Sequence, residues 1–175
     1  MQKKSFLRVF LETLGYVLAG NLLALVVTIS LGAFNGNIAL GISAFCSITL
    51  FFACVFSAAH KDGEYERKLQ RRKVLEEPDP NRWIMVGVII WVLICIPCVL
   101  LIFNPQAGFL LAFRLSVASM MAFSLFFGSS SIPFWTPLVF IGIFALIPVA
   151  CRLGYYVGYY EKAMLENIIY KKQKK

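Results

Sequence analysis

HKDGEYERKLQRRKVLEEPDPNR, residues 60–82, is the one long polar stretch in a chain that is otherwise apolar, and it holds seven of the 17 Lys and Arg. Apolar sequence flanks it on both sides. Over the 175 residues, 59% are apolar and 15% charged, well under the roughly one quarter charged that water-soluble domains carry. Such a chain cannot cover itself with polar surface, so the expectation is a single all-α membrane domain finished by lipid.

Working outward from the charged stretch, four runs are long enough to cross about 30 Å of hydrocarbon at 1.5 Å per residue. They are residues 14–34, 38–59, 83–103 and 134–154. A short basic lead with Phe6, Leu7, Phe10 and Leu11 at helical spacing precedes the first. That lead starts like a signal peptide, but the run behind it is too long, and Leu31-Gly32-Ala33 has Leu where cleavage wants a small residue, so it reads as an uncleaved span. Asn35-Gly36-Asn37 is turn chemistry and folds spans one and two into a hairpin. Within the charged stretch, Glu64 to Glu77 has the spacing of a solvated helix, with Glu64 four residues before Lys68, and Pro78 ends it.

Residues 107–127 are apolar enough to cross but carry Arg114. Charge counting decides between the alternatives, because Lys and Arg favour the cytoplasmic side. A fifth crossing would put the basic 60–82 segment and the basic tail, Lys162 to Lys175, on opposite sides. Four crossings leave the N-terminus, the charged segment and the tail all inside, with Arg114 the one basic residue outside. Residues 107–127 are therefore expected to form an outer interfacial or re-entrant helix, with Gly108, Ala112, Ser116 and Ser119 on one stripe. Trp83, Trp135 and Tyr155 to Tyr160 fall where interfacial aromatic belts belong; Trp91, in mid-span, does not.

Few residues point to chemistry. Cys95-Ile96-Pro97-Cys98 has the form of a thiol oxidoreductase pair, but the outer segments offer no second cysteine pair to relay electrons; two packed hydrophobes beside a proline is the plainer reading. All five cysteines lie in apolar runs, which argues against a disulfide framework. His60 is the single histidine, a poor start for a metal site. Pro97 and Pro148 each remove a helical hydrogen bond within a span, freeing the carbonyls of Leu93 and Phe144. Asn21, Thr28, Ser30, Ser43, Ser47, Thr49 and Ser57 read as interhelical hydrogen-bonding groups. No Asp or Glu falls within the four expected spans, which weighs against proton-coupled transport and intramembrane hydrolysis.

The tail RLGYYVGYYEKAMLENIIYKKQKK, residues 152–175, resembles the C-terminal ends of small uncharacterised polytopic membrane proteins of Gram-positive bacteria. The resemblance implies a bacterial plasma membrane and no particular activity. Together these readings lead to a non-enzymatic multi-pass protein with both termini cytoplasmic and no cofactor. Its expected surroundings are anionic headgroups on the inner side and a membrane-protein partner or second copy, with no nucleic acid. The alternative is a transporter or permeability subunit using Arg114 to bind an anionic ligand.

Overall fold

The computed structural model describes residues 4–32, 37–72, 79–103, 113–114, 117 and 136–173, with side chains of the last helix as far as residue 160. Among these the chain is all helical: α1 (Phe6–Gly32), α2 (Asn37–Arg71), α3 (Pro80–Phe103), α4 (Thr136–Phe144) and α5 (Ile147–Gln173). Four segments are long and apolar enough to cross a membrane, namely Phe6–Leu31, Ile38–Arg71, Pro80–Phe103 and Thr136–Tyr160, the last being α4 and α5 in succession. The protein is a multi-pass membrane protein. Asn35 and Gly36 of the expected turn, and most of the expected helix at 107–127, lie outside the described residues.

The largest departure from the sequence reading is at the charged stretch. Residues 60–71 are not a separate loop element; they continue α2, which at 35 residues is ~52 Å long. Nor is this extension solvated all round: Asp62, Glu66, Arg67 and Leu69 are buried, while Lys61, Lys68 and Gln70 are exposed on the other face. The basic lead runs into the first span as expected, α1 being continuous from Phe6. At the other side of the stretch, Pro80 opens α3 three residues earlier than expected. Proline suits the first helical position, and the Asp79 carboxylate accepts from the Arg82 amide at 3.4 Å as the cap.

α2 and α5 form the centre of the bundle; α1 packs along α2, α3 packs along α5, and α1 touches α3 only slightly. On α1 the buried positions Val9, Thr13, Val17, Asn21, Ala24 and Thr28 fall on one helical stripe, whereas Leu18, Leu22, Val26 and Ile29 stay exposed on another. Toward the end away from the charges, Thr28 Oγ1 lies 3.1 Å from Ser47 Oγ, and Thr28 and Ser47 donate to the Ala24 carbonyl at 2.9 and 3.1 Å. Those two hydroxyls join α1 to α2, as the sequence predicts.

α2 runs parallel to the last span, since the contacts advance together along both: Phe51 meets Phe144 of α4, and Phe56 and His60 meet Gly154 and Gly158 of α5. Small residues four apart on each helix, Ala59 and Gly63 facing Gly154 and Gly158, let the two backbones approach. A Cβ on Gly154 would lie 2.5 Å from the Phe56 carbonyl oxygen, and one on Gly63 or Gly158 would come closer still to opposing backbone. Below this seam the interior is filled by Phe51, Ile90, Phe140, Phe144 and Ile147, all fully buried.

Pro148 breaks the last span as anticipated. The helix is interrupted at residues 145–146, where the Leu146 amide turns back to the Ile143 carbonyl at 3.1 Å, three residues away instead of four. Ile141 O accepts from Ala145 N at 3.1 Å and also from the Trp91 indole at 3.1 Å. This explains the mid-span tryptophan that fits no interfacial belt. Gly87 of α3 gives room for the break, its absent Cβ being only 2.6 Å from Pro148 Cα. Pro97, by contrast, sits inside an uninterrupted α3.

Candidate functional site

The densest set of polar side chains lies at the charged end of the bundle, where residues from the N-terminal lead, α1, α2, α3 and α5 converge. One turn apart on α2, Asp62 and Glu66 are each 2% exposed. Burying two carboxylates costs several kcal/mol apiece unless each is ion-paired and hydrogen-bonded, and here each is both. Glu66 faces Arg82 at 3.3 Å and accepts from the Tyr155 hydroxyl at 2.5 Å. Asp62 accepts from the Trp83 indole at 3.2 Å and is ion-paired with the Lys4 ammonium at 3.2 Å.

The network then extends outward. Lys4 also pairs with Glu12, which meets Arg8 at 3.0 Å. Burial, the largest single influence on Lys4, pulls its pKa down, but the hydrogen bond to Glu12 and the charge of Asp62 outweigh it and hold the ammonium above the ordinary lysine value. Arg82 reaches back to the Ser5 carbonyl at 3.1 Å, and Tyr159 donates to Gln70. Trp83, Tyr155 and Tyr159 stack in sequence, with centroids 6.4 and 6.0 Å apart. The cluster thus ties the lead and all four long segments together at one end.

This arrangement holds charges in place rather than presenting them to a reactant. Arg67 and Arg82 are each 7% exposed, and Arg67 Nε and Nη1 and Arg82 Nε have no hydrogen-bond partner among the described residues. Beside Lys4 and Arg82 a cavity of about 310 Å³ opens, lined also by Phe6, Asp79, Asn81 and Met85.

The residues singled out from sequence lie elsewhere and are not brought together. Asn21 is buried in α1 and Pro148 lies at the break. Cys95 is half-buried and lines an apolar groove with Trp91, Val99 and Ile141, whereas Cys98 is buried in the core and directs its thiol to the Ile94 carbonyl at 3.6 Å. Both thiols are free. Arg114 is exposed, next to Phe113, which stacks on Phe140 of α4 at 5.8 Å. His60 stacks on Phe56 at 6.0 Å, and no group of three or more His, Cys, Asp or Glu able to hold a metal occurs among the described residues. Sequence reasoning missed Asp62, Glu66, Tyr155 and the small residues of the seam. A signal was present, in the spacing of four between Asp62 and Glu66 and between Gly154 and Gly158.

The chain matches no protein-family model, no curated protein and no solved structure.

Proposed function

We propose that the protein is a non-enzymatic component of a bacterial plasma membrane, with both termini and the charged end on the cytoplasmic side, that binds another membrane protein or a second copy through its spans. The observation that carries this reading is the contrast between a filled interior and open flanks. Phe51, Phe140, Phe144 and Ile147 occupy the space between helices, and the buried carboxylates are engaged by Lys4, Arg82, Trp83 and Tyr155. What is left open is apolar helix surface, above all the α1 stripe Leu18, Leu22, Val26 and Ile29, on the side away from α2.

A photoreactive residue placed in turn at Leu22 and Ile29 tests this in intact cells. The expected result is one and the same protein adduct from both positions and none from Ala24, which is fully buried. Lipid adducts alone, with the protein migrating as a single chain in mild detergent, would refute it. The alternative, a subunit of a small-molecule transport or permeability pathway, draws its support from Arg114, an exposed guanidinium next to a buried aromatic pair.

A further inference from the structure

The cavity at the charged end has two kinds of wall. Lys4, Arg82, Asp79 and Asn81 form a polar wall, and Phe6 and Met85, 41% and 58% exposed, form an apolar one. That pairing suits an amphiphile. The polar wall carries cations and a carboxylate together, so its complement is a group with one anionic and one cationic centre.

Donors are in surplus there. The Lys4 ammonium has three N–H groups and two carboxylate partners, Glu12 and Asp62. The Arg82 guanidinium has five, of which Nη1 serves Glu66 and Nη2 serves the Ser5 carbonyl; Nε is fully buried, so the surplus is the two remaining N–H groups on Nη1 and Nη2. Arg82 is held nine-tenths buried by those contacts, so it is a fixed feature of the site and not a mobile surface side chain. Arg82 lies in the first turn of α3, and Lys4, just before α1, lines the same cavity; the positive end of α3 adds to the attraction for an anion. Asp79 caps that turn and at the same time lines the cavity.

We propose that this cavity binds one phospholipid with a primary-amine headgroup: its phosphate sits against Lys4 and Arg82, its ammonium against Asp79, and its glycerol and acyl chains run along Phe6 and Met85. A quaternary ammonium, with no N–H to give, is a poorer fit for the carboxylate. The site is independent of whether the spans bind a protein partner.

Native mass spectrometry of the full chain, delipidated and titrated with phosphatidylethanolamine, phosphatidylcholine or glycerol phosphate, tests it. One phosphatidylethanolamine should be retained about tenfold more tightly than phosphatidylcholine. Asp79→Asn keeps a competent helix cap, so it should fold, yet it should abolish that preference. Met85→Trp, at an exposed position, should block retention of either lipid. Equal retention of both lipids by the unaltered protein, or retention insensitive to Met85→Trp, would overturn the site. Glycerol phosphate binding as tightly as the lipid would overturn the lipid as its occupant.

Discussion

Gly154→Ala adds one methyl group where α2 and α5 touch, and the geometry sets what it must do. The new Cβ would lie 2.5 Å from the Phe56 carbonyl oxygen and 3.1 Å from Ala59 Cβ, whereas ordinary contact begins at 3.4 Å. The first obstacle is backbone, so no side chain can rotate away, and moving from 2.5 to 3.4 Å requires the helices to part locally by up to 0.9 Å. Overpacking of this kind costs about 1–3 kcal/mol, set against about 1 kcal/mol gained by replacing glycine with alanine inside a helix. Gly15→Ala in α1 supplies the control, because nothing lies within 4 Å of its added Cβ and only the propensity gain applies. The expected difference between the two variants is therefore about 1–3 kcal/mol, with Gly154→Ala the less stable. Parting the helices also strains the Tyr155 to Glu66 hydrogen bond, now 2.5 Å, so Tyr155→Phe should cost less in the Gly154→Ala background than alone. Reversible unfolding in mixed micelles, followed by tryptophan fluorescence, measures both quantities. Equal stability of Gly154→Ala and Gly15→Ala would refute the close approach of α2 and α5.

Glu66→Ala leaves the buried Arg82 without its counter-charge and should cost about 3–5 kcal/mol in the same unfolding assay; a loss below 1 kcal/mol would mean that water reaches the cluster. Asn21→Leu should be mild, about 0.6 kcal/mol, and a large loss of folded protein would show that the amide does more than a typical membrane hydrogen bond. For orientation, single cysteines at Asn35 and Gln106 should react with an impermeant reagent added outside intact cells, while one at the exposed Gln70 should not; labelling at Gln70 would reverse the assignment. Arg114→Lys and Arg114→Gln should leave folding and partner binding unchanged, and a loss of anion uptake in proteoliposomes for both variants would favour the transport reading.

The four crossings were legible because about 20 apolar residues in a row have few other uses, and the Thr28 and Ser47 pairing because hydroxyls in lipid need partners nearby. The break before Pro148 followed from a missing N–H. What could not be read was the fate of the charged stretch. Charge spacing correctly indicates a helix there, but whether its acidic face meets water or protein depends on Lys4, Arg82, Trp83 and Tyr155, which lie 16 to 89 residues from their carboxylate partners, too far for helical spacing to relate them. The glycine seam is a different case, since two pairs of small residues at a spacing of four are visible in sequence; the polar surroundings of Gly63 drew attention to charge instead of packing.

The buried cluster also bears on how basic residues set orientation. Lys4 and Arg82 are ion-paired with Glu12, Asp62 and Glu66 and largely buried, so what charge they offer is confined to the cavity they line and not spread over the outer surface. Exposed cations also lie around the same end: Lys61, Lys68, Arg71, Arg72 and Arg152, and Arg8, which is paired with Glu12. These six lie on or next to α1, α2 and α5; in the proposed orientation anionic headgroups would attract a surface Lys or Arg there by about 1 kcal/mol. Asp62 and Glu66 are thus hidden from the surface and these cations displayed. Burying Asp62 and Glu66 removes two of the chain's nine acidic side chains from the surface of that end, which in the proposed orientation would favour its contact with anionic headgroups.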